Sequence, residues 1–155
     1  MEVPDRFSCR LQSLSLWVVW QRTAHLHLPA GLPLIQVDYR YLEHALSNLL
    51  LNAAAYSPPG SAIRVSARVN AGNLEISVAD NGPGIPADAR GRVFEKFYRV
   101  PGSPAGGTGL GLFITRSTLE AHGGSVRLAS PAHGSEFIVQ LPLQAAPRVP
   151  AEAGA

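Results

Sequence analysis

The chain has 155 residues, room for one ordinary domain of about 100–200 residues and not for two. Hydrophobic residues make up 46% and charged residues 15%, which excludes a disordered acidic or basic chain and predicts a packed core. The net charge of +2 arises from 13 basic residues spread along the sequence without a run of five, so nucleic acid is not an expected partner. Lys96 is the only lysine, and residues 91–97 do not spell GxxxxGK[ST], which excludes the P-loop ATPases. The single cysteine, Cys9, forms neither an internal disulfide nor a thiolate-rich zinc site and fits a reducing, cytoplasmic setting.

Residues 1–23 read as a lead-in, disordered or a truncation remnant. Its apolar stretch, Leu11 to Trp20, is interrupted by Gln12, Ser13 and Ser15 and falls short of the ~20 residues a membrane span needs, so no membrane contact is expected. Arg6 and Arg10 imitate the start of a signal peptide, but Gln21-Arg22-Thr23 is a poor cleavage region. The folded body is expected over 24–143, and residues 144–155, rich in Ala and Pro, as a disordered tail.

Within the body, His25 to Leu28 and Leu34 to Val37 read as short extended pieces around a Pro29–Pro33 turn. Asp38 is placed to cap a helix from Tyr39 to Tyr56, whose Leu42, Leu46, Leu49, Leu50 and Ala53 share one side before Ser57-Pro58-Pro59-Gly60 stops it. Ala62 to Val69 and Leu74 to Val78 alternate as a hairpin with one wet face. A Gly/Pro loop, a short helical piece around Val93 to Tyr98 and a second loop, Pro101 to Thr108, come next. Leu110 to Ala121 predicts a helix ended by Gly123-Gly124, and Ser125 to Ala129 with Glu136 to Leu141 a closing hairpin. This order predicts an α/β two-layer sandwich, a mixed and mostly antiparallel sheet packed under about three helices.

Four elements carry candidate chemistry. Asn48 and Asn52 lie one turn apart on the long helix, away from its apolar side. Their carboxamide oxygens suit a hard cation such as Mg²⁺, and equally suit a solvated surface. Asp80-Asn81-Gly82-Pro83-Gly84-Ile85 follows a strand. It reads as a plain turn, or as glycines admitting a flat ligand while Asp80 accepts a hydrogen from an exocyclic amine. Gly106-Gly107-Thr108-Gly109-Leu110-Gly111-Leu112 runs into a helix whose free amides favour phosphate; a dinucleotide fingerprint is excluded because no strand precedes it. Between the loops, Val93 to Arg99 offers aromatics for the core, with Lys96 and Arg99 as cations beside a glycine loop.

Taken together, NxxxN, DxGxG, FxxF and GxGxG in this order resemble the ATP-binding catalytic domain of bacterial two-component sensor histidine kinases, of the family shared with gyrase, Hsp90 and MutL. Within that group the chain is similar to the potassium-responsive kinases. The resemblance covers about 24–143 and implies the Bergerat ATP-binding fold, with ATP and Mg²⁺ as cofactors. By matched positions it implies Asn52 as main Mg²⁺ ligand with Asn48 assisting, and Asp80 on the adenine amine. Gly82, Gly84 and Ile85 would shape the base pocket and Tyr56 would flank the nucleotide. Gly107, Thr108, Gly109, Leu110 and Gly111 would wrap the phosphates, Lys96 and Arg99 would neutralise them, and residues 88–106 would form a mobile lid. Hydrolytic relatives have a glutamate at the position of Asn48, and a carboxamide cannot take a proton from water. This favours transfer to a positioned protein nucleophile by alignment and charge neutralisation.

Two departures stand out. Ala55 occupies the place of a basic residue common in the family, so one phosphate contact is missing. None of His25, His27, His44, His122 or His133 has the H-E/D-x-K/R-x-P context of an acceptor histidine. The expected function is therefore γ-phosphoryl transfer to a histidine on a dimerisation hairpin outside this chain, and indirectly to a response regulator, with no catalytic residue of its own beyond ATP positioning. The alternatives are an anti-sigma-type serine kinase and an inactive nucleotide-responsive interaction domain.

Overall fold

The computed structural model describes residues 23–33, 35, 37–104, 106–129, 131 and 133–143. Most of the lead-in and all of the tail lie outside them, as do Leu34 and Gln36 of the second extended piece; Val37 lies in a bend.

Alternating apolar side chains make the middle of the sheet. β2 (Ala62–Asn70) and β3 (Asn73–Ala79) pair antiparallel from Asn70↔Asn73 to Arg64↔Ala79. Their two-residue turn, Ala71-Gly72, has φ of 49° and 78°, the left-handed pair whose twist suits a tight hairpin. β1 (Thr23–His27) lies parallel to β2, and the helix α1 (Tyr39–Tyr56) links the two, because a parallel neighbour requires a crossover. β5 (Glu136–Pro142) pairs antiparallel with both β3 and β4 (Ser125–Ala129). The five-stranded sheet has the order β1-β2-β3-β5-β4.

Both helices cover one face of this sheet. Leu42, Leu46, Leu49, Leu50 and Ala53 of α1 pack in one cluster with Ile63, Val65, Ile76, Val78, Phe137 and Val139. Asp38 Oδ1 accepts from Arg40 N at 3.0 Å to cap the helix start, and Ser57 N donates to Ala53 O where Pro58 ends it. The second helix, α2 (Gly111–Ala121), buries Thr115 and Leu119, with Leu112 half-buried against the core. Ile114, expected in its apolar pattern, is exposed instead, since the core face follows the spacing 112, 115, 119. Gly124 N donates to Leu119 O at 2.8 Å to close the helix.

Two expectations are corrected. Val93 to Tyr98 is no third helix: residues 87–97 form successive turns in which Arg92 N, Glu95 N and Tyr98 N each donate to the carbonyl three residues earlier. Phe97, with φ of 65°, breaks any helical run there while its N–H donates to Gly109 O at 2.9 Å. The outer face of the hairpin is not uniformly wet either. Glu75 is 3% exposed, and its carboxylate accepts from Arg68 Nε at 2.7 Å, Gln140 Nε2 at 2.7 Å and Asn70 Nδ2 at 3.3 Å.

Those bonds, the Gln140 bond foremost and then Arg68, hold the Glu75 pKa down from 4.5 to about 2. A lowered folded-state pKa means the ionised form is favoured by folding. Its stabilisation is thus complete above 4.5 and is lost as pH falls toward about 2. Thermal melting across that acid range should show a steep fall in Tm for the native chain and a flatter one for Glu75→Gln; parallel curves would refute the assignment.

Candidate functional site

Three elements end together at one end of the sheet. β3 ends at Ala79 opposite Glu136, so the next residues, Asp80 and Ser135, extend the ladder by one more bond, Asp80 N to Ser135 O at 2.9 Å. The C-terminal end of α1 meets the loop after β3 here: a Cβ on Gly82 would stand 2.5 Å from the Tyr56 carbonyl and 3.0 Å from Asp80 Oδ1. Asn81 Nδ2 donates to Ala62 O at 3.2 Å, tying the loop to the start of β2.

Asp80 is 3% exposed. Its Oδ1 accepts from Gly82 N at 2.8 Å and Ser135 N at 3.3 Å, and no described residue hydrogen-bonds Oδ2. Burial raises the carboxyl pKa above its ordinary value, and the two backbone N–H bonds oppose that rise. The result is a fixed carboxylate with one oxygen engaged and the other available as an acceptor.

A cleft of about 1270 Å³ joins Asp80 to Asn48 and Asn52. It takes in nearly all of the expected site: Asn48, Asn52, Tyr56 and Asp80, then Gly82, Gly84 and Ile85, and on the far side Arg99, Gly107, Thr108, Gly109 and Gly111. Both carboxamides are half-buried on α1, and Asn48 Nδ2 is a buried donor with no hydrogen-bond partner among the described residues. The glycine loop is held by close approach, because a Cβ on Gly109, whose φ is 74°, would stand 2.7 Å from the Phe97 carbonyl carbon. Arg99 Nη2 donates to Pro104 O, and its guanidinium lies beside Gly107.

Lys96 and Leu110 are not brought to the cleft. The Lys96 ammonium lies 5.4 Å from the Phe97 ring centre and 5.8 Å from that of Phe113. Leu110 contributes a backbone N–H to Thr108 Oγ1 at 3.4 Å. Lys96 thus contacts aromatic rings, a role that a cation beside a glycine loop does not reveal in sequence.

Residues 37–145 match the family profile described as histidine kinase-, DNA gyrase B- and HSP90-like ATPase. The chain belongs to this family. This histidine kinase-type ATPase domain is 46% identical over 109 residues to the sensor-like histidine kinase SenX3 of Mycolicibacterium smegmatis, covering 68% of this chain and 28% of that protein. It is 41% identical over 127 residues to the sensor protein KdpD of Escherichia coli, covering 81% of this chain and 14% of KdpD. The chain thus spans well under half the length of these relatives. Among solved structures, the mycobacterial sensor histidine kinase MprB superposes with a TM-score of 0.74 at 30% identity, covering 87% of this chain and 91% of that one. Full-length ShkA in complex with AMPPNP superposes with a TM-score of 0.69 at 28% identity, over 88% of this chain and 28% of that one.

This ATPase-family cleft also has lining residues that the motifs did not indicate: Arg90, His133, Gly134 and Ser135. The last two reach Asp80 through β3–β5 pairing across 55 residues of sequence, a partnership no local spacing announces. Gly134 has φ of 74°, and a Cβ there would stand 1.8 Å from the Asp80 carbonyl oxygen. Gly134→Ala should therefore cost about 3 kcal/mol of stability and displace Asp80. Gly91→Ala, with open space around its Cα, is the control and should melt like the native chain. Equal denaturant midpoints for the two variants would refute the clamp.

Proposed function

We propose that this chain is the Mg-ATP-binding domain of a sensor histidine kinase and donates the γ-phosphoryl group to a histidine on a dimerisation hairpin, for onward passage to a response regulator. The observation that carries the reading is the single cleft linking the half-satisfied Asp80 carboxylate to the Asn48–Asn52 carboxamides. Asp80 Oδ2 suits the adenine amine, and Gly82 and Gly84 let the loop beside it pack against the Tyr56 and Gly134 carbonyls, where a Cβ would stand at 2.5 Å and 3.1 Å.

The residues present fit the cofactors. Asn52 and Asn48 offer oxygen donors to Mg²⁺, and the orphaned Asn48 Nδ2 calls for an acceptor such as a phosphate oxygen or water. The Gly107–Gly111 loop opens onto the start of α2, whose first amides have no side-chain cap. Bound Mg²⁺ neutralises phosphate charge and helps align the transferring group. The protein's own part is to hold the base at Asp80, orient the carboxamides from a rigid helix and set a cation, Arg99, beside the phosphate loop.

Neither asparagine accepts a proton from water, which supports transfer over hydrolysis. The sensor kinases among the relatives support histidine over serine as acceptor. No helix among the described residues is long and apolar enough to cross a membrane. The domain is proposed to act in the cytoplasm, where ATP is available.

Isothermal titration should show ATP binding that strengthens with Mg²⁺. Asp80→Ala should weaken it about 30-fold, as expected for a lost charge-assisted hydrogen bond, and Asn52→Ala should remove most of the Mg²⁺ dependence. Incubation with γ-labelled ATP and a separate dimerisation hairpin should give acid-labile phosphohistidine. Acid-stable phosphoserine, or an unlabelled hairpin despite tight ATP binding, would overturn the transfer step.

A further inference from the structure

The loop that carries Asp80 leans on a neighbour at each of its two glycines. A Cβ on Gly82 would stand 2.5 Å from the Tyr56 carbonyl oxygen, and one on Gly84 would stand 3.1 Å from the Gly134 carbonyl oxygen. Tyr56 therefore stands at one flank of the loop. His133, one residue before Gly134, stands at the other, since consecutive Cα atoms are only about 3.8 Å apart. Both residues line the cleft. No motif indicates His133.

The backbone that follows His133 is clamped to Asp80. Gly134, with φ of 74°, lies against the Asp80 carbonyl, and Ser135 O accepts from Asp80 N at 2.9 Å. The imidazole itself is exposed and has no hydrogen bond, ion pair or ring contact among the described residues. The base-loop side chains that line the cleft with it, Pro83 and Ile85, are apolar, as is Pro131 two residues before it. The chemistry of this end then decides what the ring can meet. Asp80 engages an aminopurine through its edge, which leaves the faces of the base to be covered. A flat aromatic side chain covers a base face at the cost of ordering two χ angles, whereas phosphate oxygens call for a fork of donors.

We propose that His133 stacks on the aminopurine as a second ring of the base pocket beside Tyr56, an inference that rests on the ATP reading above. The contact is made to the base, so it strengthens ATP and adenosine alike and adds nothing for the phosphates.

The experiment titrates the native chain, His133→Ala and His133→Phe with ATP and with adenosine, following ATP by calorimetry and adenosine by proton chemical shifts. His133→Ala should weaken both ligands about fivefold, the low end of what a base–aromatic stack supplies. His133→Phe, which keeps a flat ring, should stay within twofold of native for both. In the native chain the His133 ring protons, assigned by their absence from His133→Phe, should shift upfield as adenosine is added. Those of the other histidines, none of which lines the cleft, should stay in place. Unmoved His133 protons with native affinities in His133→Ala overturn the inference and leave the ATP site intact. A loss confined to ATP overturns it as well, because it would put His133 on the phosphates, and so does a loss in His133→Phe equal to that in His133→Ala. A native chain that binds neither ligand overturns the nucleotide reading itself. Should His133→Ala fail to fold, His133→Phe and the ring-proton shift in the native chain carry the test.

Discussion

The backbone ladder between β3 and β5 runs one residue past the sheet, and the site depends on that extra step. Asp80 N meets Ser135 O, and Ser135 N returns to Asp80 Oδ1, so a carboxylate is carried into the interior on a hydrogen-bonded rung. An isolated charge buried there would be costly; two amide donors on one oxygen offset part of that cost and fix the orientation. The rung also sets severe limits on its neighbours. Gly134 presses against the Asp80 carbonyl and Gly82 against the Tyr56 carbonyl, so two glycines far apart in sequence are required by close backbone approach around one residue. Because Gly82 touches the end of α1, the position of Asp80 is also coupled to the helix that carries Asn48 and Asn52.

The two walls of the cleft differ in how they are held. The wall made by α1 and the sheet belongs to the main hydrophobic cluster, where Leu49, Ile63, Ile76 and Val139 are fully buried. The segment from Pro86 to Thr108 buries Ala89 and Val93 and otherwise rests on turns, on Phe94 edge-on to Phe137 at 6.0 Å, and on the Phe97–Gly109 backbone bond. A wall with so few buried side chains has little to lose on local opening, which is the condition a lid needs. Phe97 in left-handed backbone geometry and 64% exposed stands where this segment joins the glycine loop.

Much of this arrangement was legible before any coordinates. The 3.6-residue period of α1 and the alternation of β2 and β3 are local signals, and Asp38, Ser57 and Gly123 mark helix ends as their chemistry demands. The motif order brought Asn52 and Asp80 to one cleft. What was missed depends on contacts distant in sequence. The burial of Glu75 needs Gln140 from β5, and the clamp on Asp80 needs Gly134 and Ser135. The helical spacing of Val93 to Tyr98 was real as a pattern of aromatics, but Gly91 and the Phe97–Gly109 bond favour turns over a continued helix. Lys96 lies against the Phe97 and Phe113 rings, and a lysine near a glycine loop reads the same in sequence whether it faces anions or rings.

The buried amide of Asn48, without a hydrogen-bond partner among the described residues, bears on how this cleft would treat water. A side chain there must tolerate partial burial without a protein partner, and a carboxamide does so at lower cost than a carboxylate. The same choice removes the group best placed to activate water, since neither Asn48 nor Asn52 can serve as a general base. With no carboxylate or imidazole among the α1 residues that line the cleft, that helix contributes alignment, and alignment accelerates transfer only when an acceptor brings its own nucleophile into line. On this view slow hydrolysis follows from the helix itself, whose two cleft-facing carboxamides cannot activate water.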